Sequence, residues 1–263
     1  GSALTFGTAM QWDNAAINFL AGFRTASALN LGSARDLVGE TVGFGAHAVL
    51  DIAAQASVRL GGKGTLADAF DRVQATVVAY AADQGYTVLV PDLFWRIRPG
   101  VNLTDKSDAE WKQAFALMNA FDQDKGVEDL KATLAAARTM PGCNGRAGTM
   151  GYCLGGRLAM MMAMRSDADV NVSYYGVGLD ALLDGADRIT HPLLVHIADQ
   201  DKFFPAPARA KVVDALKGHA HAHAYVYPDA DHAFARVGGT HWQARAATIA
   251  NGRSAEALAE ALG

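Results

Sequence analysis

The run Arg146-Ala-Gly-Thr-Met-Gly-Tyr-Cys-Leu-Gly-Gly-Arg-Leu-Ala-Met-Met-Met-Ala-Met narrows the possible folds of this chain more than any other stretch. A short apolar segment ends in a Gly-x-Cys-x-Gly turn centred on Cys153, and a second apolar run suited to a buried helix follows at once. A strand that reverses directly into a helix brings backbone and side chains too close for most Cβ atoms, which gives Gly151, Gly155 and Gly156 a physical role. The pattern is that of a nucleophile elbow with sulfur in place of the serine oxygen. It predicts Cys153 exposed at the turn beside a helix N-terminus. There, free backbone N–H groups and the positive end of the helix dipole favour a thiolate and can stabilise an oxyanion. The competing reading is a buried, inert cysteine packed as a small hydrophobe.

The rest of the chain supports a sheet on which such a turn could stand. From Leu66 the residues Ala67, Phe70, Val73, Val77 and Tyr80 fall close to helical spacing, and Tyr86 to Pro91 reads as a continuous apolar strand. Asp108 to Phe121 and Lys125 to Met140 read as amphipathic helices. Val170 to Gly176, Pro192 to Ala198 and Ala222 to Tyr227 read as strands, and Ala244 to Leu262 as a closing helix. Strands alternating with helices from about residue 66 onward predict a mostly parallel sheet with helices on both faces. The first 65 residues are less regular. Asn14 to Phe23 fits a helix or a strand, and Thr41 to Leu50 alternates loosely with period two.

With 263 residues, 51% of them hydrophobic, the chain can bury a large core as a single α/β domain over residues 1–263. A net charge of −4 excludes the basic character of a nucleic-acid or anionic-membrane binder. No apolar run reaches the roughly 18 residues of a membrane span, and the N-terminus lacks a cationic stretch followed by a long apolar core. The two cysteines, Cys143 and Cys153, sit at opposite ends of one predicted strand, too far apart for a disulfide at roughly 3.3 Å per residue. A reduced, cytoplasmic setting is expected.

A cysteine nucleophile needs a base, and the base an orienting acid. Asp199 and Asp201 follow the strand Pro192 to Ala198, and His232 follows the strand Ala222 to Tyr227. Nucleophile, acid, histidine is the order found on the α/β-hydrolase sheet, where a parallel arrangement brings all three to one edge. Asp199 and Asp201 would share a face of an extended segment roughly 7 Å apart, so periodicity leaves the choice between them open. Asp229 and Asp231 read as turn residues. His219, His221 and His223 alternate along a polar segment and read as a solvated strand edge rather than a metal tract. Arg96 and Arg98, in the loop after the strand at Tyr86, are candidate anion ligands. No metal set or cofactor motif is found, and none is expected.

The segments Gly151-Tyr-Cys-Leu-Gly-Gly, Tyr174-Tyr-Gly-Val-Gly-Leu, Asp199-Gln-Asp with Pro205-Ala-Pro, and His232-Ala-Phe-Ala-Arg resemble the dienelactone hydrolase (carboxymethylenebutenolidase) family. Gln84-Gly-Tyr and Pro91-Asp-Leu-Phe extend the likeness over roughly residues 66 to 252. The resemblance implies an α/β-hydrolase fold and hydrolysis of an enol-lactone or ester, with Cys153, Asp201 and His232 as the triad. It is the resemblance that favours Asp201 over Asp199. It further implies that Arg96 and Arg236 hold a substrate carboxylate, and the elbow pattern makes the Leu154 N–H an oxyanion donor.

Residues 1–65 depart from the family pattern. Members carry a Gln-Glu-Ile-Phe-Gly-like segment on an early strand, whose glutamate contacts the resting cysteine and whose backbone supplies a second oxyanion donor. The nearest local likeness here begins at Glu40, which fits only if Leu50 to about Leu66 is an insertion. A monomer or small homo-oligomer acting on a small molecule is expected. A non-catalytic binding protein and a thiol-based redox protein are the alternatives.

Overall fold

The computed structural model describes residues 2–6, 17–23, 86–99, 101, 103, 107–140, 143–236 and 240–263. The predicted helix from Leu66, the alternating segment at Thr41 and Glu40 lie outside the described residues. A seven-stranded sheet is built from β1 (Ser2–Phe6), β2 (Ile17–Phe23), β3 (Tyr86–Leu89), β4 (Cys143–Tyr152), β5 (Asn171–Tyr174), β6 (Leu193–Ala198) and β7 (Ala222–Tyr227), in the order β1-β3-β2-β4-β5-β6-β7. Strands β4 to β7 pair in parallel, and β1 runs parallel to both β3 and β4. Only β2, among the described strands, runs against them. Asn14 to Phe23, open between helix and strand in the sequence, thus yields a strand at Ile17–Phe23. Because β3 to β7 otherwise point one way, the loops that follow them gather at one edge.

The helices follow their sequence signals. Helix α1 (Asp108–Ala120) is capped by Ser107, whose hydroxyl accepts from the Glu110 N–H, and α2 (Gln123–Thr139) by Asp122, which accepts from the Lys125 N–H. Then come α3 (Leu154–Arg165), a 3-10 segment (Leu179–Arg188), α4 (Ala206–Leu216) and α5 (Ala244–Leu262). Every residue of β6, Leu-Leu-Val-His-Ile-Ala, is buried, the pattern of a strand covered on both faces. Leu193, Val195 and Ile197 pack with Met160 and Met164 of α3 and with Val212 and Leu216 of α4. Leu194 and Ala198 belong to the larger core, which includes Leu258 and Leu262 of α5.

The fourth residue of that strand, His196, is a polar group on the α5 face and is fully buried. Its Nδ1 lies 2.8 Å from the Tyr227 hydroxyl and its Nε2 3.0 Å from Ser254 Oγ. Ser254 is also 2.7 Å from the Tyr174 hydroxyl, which donates to Asn251 Oδ1 at 2.9 Å, while Arg253 donates to the Tyr227 hydroxyl at 3.1 Å. The network fastens α5 to β5, β6 and β7 without leaving the imidazole unsatisfied, as burial of a polar group requires. Burial, with the nearby Arg253 charge, pushes the His196 pKa down from 6.5 to about 3.

A folded-state pKa below the unfolded one means that the unfolded chain binds more protons between pH 6.5 and about 3, so stability falls as pH drops through that window. The expected contribution is up to about 1.4 kcal/mol per pH unit. Urea midpoints measured across this range should show His196→Gln less stable than the parent near neutrality but with an acid-side slope shallower by close to one proton. An unchanged slope would assign the acid sensitivity to other groups.

Candidate active site

Strand β4 ends at Tyr152 and α3 begins at Leu154, so Cys153 alone carries the reversal, at φ 54 and ψ −115. A non-glycine residue at positive φ is uncommon and persists only where its surroundings impose it. Here they do. A Cβ on Gly151 would lie 2.0 Å from the Gly155 carbonyl oxygen, and one on Gly156 2.7 Å from the Tyr174 oxygen. The Cys153 N–H donates to that same Tyr174 oxygen at 3.0 Å, and the Arg157 N–H to the Cys153 oxygen at 3.1 Å, closing the first turn of α3. Leu154 is the first residue of the helix, where N–H groups lack intrahelical partners.

Cys153 is 4% exposed, which corrects the expectation of an exposed thiol. The loop bearing His232 folds back toward the turn and brings its imidazole near Cys153, close enough for the charge of the sulfur to act on it. That loop follows β7 and is itself bent twice through the left-handed region, at Asp229 (φ 60) and Ala233 (φ 63). Asp231 accepts from the His232 N–H at 2.7 Å, so both aspartates serve the turn, as their sequence context predicts. The loop is tied to its neighbours: the Gln200 N–H donates to the Ala230 oxygen at 2.8 Å and the Asp199 N–H to the Tyr227 oxygen at 3.1 Å.

Those backbone bonds place the segment after β6 beside His232. Its Nδ1 lies 2.7 Å from Asp201 Oδ2, both side chains being at most 4% exposed. A carboxylate only accepts, so Nδ1 carries the proton and Nε2 is the nitrogen left for the sulfur. Asp201 also accepts from the Phe203 N–H at 2.8 Å. Asp199 turns elsewhere, 3.7 Å from Arg209 and half in solvent. Geometry therefore separates two aspartates that periodicity left equivalent. Burial alone would lower the His232 pKa. The Cys153 charge, the hydrogen bond donated to Asp201 and the Asp201 charge reverse that and hold it well above 6.5. The imidazole is flanked edge-on by Tyr175 (5.1 Å between centroids) and Phe203 (5.0 Å), neither singled out by the sequence reading. Tyr175 directly follows β5, and that strand-end position was the available signal.

The arginines are placed less alike. Arg96, in the turn after β3, grips Asp129 of α2 with two bonds, Nε to Oδ2 at 2.8 Å and Nη2 to Oδ1 at 2.7 Å, and lies 4.3 Å over the Trp95 ring. Trp95 Nε1 donates to the same carboxylate at 3.0 Å. Arg236 is half-buried and closes the His232 loop with its N–H on the Ala233 oxygen at 2.9 Å. Arg98 is exposed. Of the histidine tract, His219 is committed to structure. Its Nδ1 accepts from the N–H groups of His221 and Ala222 at 3.1 Å, and its Nε2 lies 3.1 Å from the Ala186 oxygen. Among the described residues no cluster of His, Cys, Asp or Glu is arranged to hold a metal, and no helix is long and apolar enough to cross a membrane.

A buried cysteine on a strand-to-helix elbow, faced by a histidine from a later strand end, defines an α/β-hydrolase-fold hydrolase. A model of the dienelactone hydrolase family matches residues 67–262, and the chain belongs to that family. A homologue from Azospirillum brasilense is 53% identical over 186 residues, spanning 70% of this chain and 79% of its own. The carboxymethylenebutenolidase of Pseudomonas putida is 40% identical over 182 residues, 69% of this chain and 77% of that protein. A dienelactone hydrolase-type structure from Klebsiella pneumoniae shares the fold at 22% identity and a TM-score of 0.59, covering 72% of this chain and 81% of the other.

Cys153 stands at the N-terminus of α3 and near His232, the setting in which a cysteine reacts readily, whereas Cys143 sits half-buried at the far end of β4. Iodoacetamide near neutral pH is therefore expected to alkylate Cys153 faster than Cys143 despite its burial, as peptide mapping over time would show. Equal, slow labelling of both would contradict an activated elbow cysteine.

Proposed function

We propose that the protein hydrolyses an enol-lactone or related ester bearing a carboxylate, through a thioester on Cys153. The observation that carries the reading is the bond from His232 Nδ1 to the buried Asp201 carboxylate, with the imidazole close enough to the elbow cysteine for the charge of Cys153 to act on it. The thiolate attacks the carbonyl carbon while the developing oxyanion is held by the N–H of Leu154 at the α3 terminus. The carbon–oxygen bond of the ester then breaks, and the leaving enolate takes its proton from the His232 imidazolium. Now neutral, His232 accepts a proton from water, which attacks the thioester and releases the acid and the thiolate. Cysteine suits an enolate leaving group, because a thiolate needs less help from its base than a serine hydroxyl does. Arg96 and Arg236 hold the substrate carboxylate, and Glu40 remains the candidate for the family's early-strand glutamate. The same reading takes the chain as one domain of a cytoplasmic enzyme that needs no cofactor or metal, as a monomer or small homo-oligomer.

Cys153→Ala should abolish turnover of an activated aryl ester while far-ultraviolet circular dichroism stays unchanged. Asp201→Asn should keep the fold yet slow acylation strongly, since the imidazole loses the partner that sets its tautomer and stabilises its charge. Asp199→Asn, which disturbs contacts to Arg209 and Gln200 away from His232, should cost far less. Pre-steady-state acylation rates would decide, and the opposite ranking would remove Asp201 from the triad.

Losing one charge-assisted carboxylate contact should cost roughly 1.5 to 3 kcal/mol, or about 10- to 100-fold in kcat/KM. Arg96→Ala and Arg236→Ala are each expected to show that loss with a carboxylate-bearing lactone and little loss with a neutral aryl ester. Equal losses on both substrates would make the arginines structural.

A further inference from the structure

Arg157 lies one turn beyond Cys153 in α3 and has no part in the chemistry above. Its guanidinium is half-buried, and that burial, opposed by the Asp180 charge, lowers its pKa from the ordinary value. It is nevertheless bonded on both sides. Its Nε donates to Gln123 Oε1 at the start of α2 at 2.7 Å. Its Nη1 donates to the carbonyl oxygens of Gly178 and, at 3.4 Å, Val177. Those carbonyls belong to the segment that leaves β5, and the segment is drawn tightly onto α3. A Cβ on Gly176 would lie 3.0 Å from the Arg157 nitrogen, and Gly178 turns at φ +60 with Arg157 Nη1 3.0 Å from where its Cβ would stand.

The same segment carries Tyr175, a bulky residue at φ 37 and 1% exposed. A tyrosine stays in the left-handed region only when its neighbours over-determine it. One tether is its own N–H, which donates to the His196 oxygen on β6 at 2.7 Å. On the other side Arg157 pins the carbonyls two and three residues further on. Between them the Tyr175 ring is set edge-on to His232, 5.1 Å between centroids.

We propose that Arg157 is a positioning residue: by fastening the Val177 and Gly178 carbonyls to α3 it holds the Tyr175 ring against His232 and so fixes the imidazole between Asp201 and Cys153. The inference rests on the catalytic reading of Cys153, Asp201 and His232. A lysine would not replace this arginine, because the contacts diverge toward two separate elements and need the guanidinium's spread donors.

The test compares the full-length protein with Arg157→Gln, Arg157→Lys, Tyr175→Leu, the Arg157→Gln/Tyr175→Leu double variant and Cys153→Ala, using a neutral activated aryl ester. Arg157→Gln and Tyr175→Leu should each lower kcat by roughly 10- to 100-fold with KM changed about twofold at most, the signature of a misplaced group rather than lost binding. The double variant should lose no more than the worse single one, because both changes release the same contact. The pH range over which iodoacetamide alkylates Cys153 rapidly should narrow in Arg157→Gln. Arg157→Lys keeps the cation and should serve if the glutamine variant does not fold, with a smaller loss of kcat in the same direction. Multiplicative losses in the double variant, or wild-type kcat in the Arg157 variants, would overturn the inference while leaving the triad intact. Turnover by Cys153→Ala would overturn the catalytic reading beneath it.

Discussion

The reversal of the chain at Cys153 is the constraint on which the rest of the site depends. One residue passes from strand to helix at positive φ, a conformation that costs of order 1 to 3 kcal/mol for a non-glycine residue. The sum is repaid by packing that no isolated turn could supply. Gly151 lets the Gly155 carbonyl approach, Gly156 lets β5 approach, and the Tyr174 carbonyl takes the Cys153 N–H. Because β5 is thus locked against the elbow, the residue after it, Tyr175, is delivered to the histidine. Substrate binding has no need to build this geometry, so binding free energy is left for the transition state.

Two histidines, one within β6 and one in the loop after β7, show how placement decides chemistry. His196 lies within β6 and faces α5, where hydroxyl partners and a nearby arginine leave it neutral. His232 lies beyond the end of β7, where the Asp201 carboxylate accepts from Nδ1 and the charges of Asp201 and Cys153 favour its charged form. Both are buried, so desolvation opposes charge in each, and the sign of the outcome is set by the partners. Their effects on stability are therefore opposed. His196 weakens the fold as pH drops from 6.5 toward about 3. His232 supports it below 6.5, and that support fades as pH rises through its elevated folded-state value.

Where the hydrophobic pattern was complete, the sequence was sufficient: Ala222–Tyr227 and Ala244–Leu262 stand where their apolar runs predict. The family pattern singled out Asp201, and the fold supplies the reason periodicity could not. The chain leaves extended geometry after Ala198, so two aspartates two residues apart no longer share a face. Helix α4 went unread although Pro207 in its first turn and the run Ala208 to Leu216 suit a helix start. The burial of Cys153 was not legible from the elbow, because the covering loop comes from about 80 residues further along the chain. The same holds for Tyr175, a residue type disfavoured at positive φ, and for Arg157, whose partners lie 20 to 34 residues away in sequence. Local pattern specifies elements, whereas these contacts exist only once the elements are packed.

Recognition of a carboxylate by Arg96, on the proposed reading, has a feature that charge alone would not provide. The guanidinium is 39% exposed, so solvent screens its attraction for an anion. A flexible arginine in that setting would gain little over the entropy lost on binding. Asp129 changes the balance by holding the Nε and Nη2 edge, while Trp95 stacks beneath the plane and donates to the same carboxylate. The side chain is ordered before any substrate arrives, and that ordering cost, of order 0.5 to 1.5 kcal/mol for a long side chain, falls on folding rather than on binding. The Asp129 charge repels the substrate anion in return, but across a guanidinium and in water-screened surroundings. Orientation is thus the larger contribution, and selectivity for a carboxylate comes from where the fork points more than from how strongly it attracts.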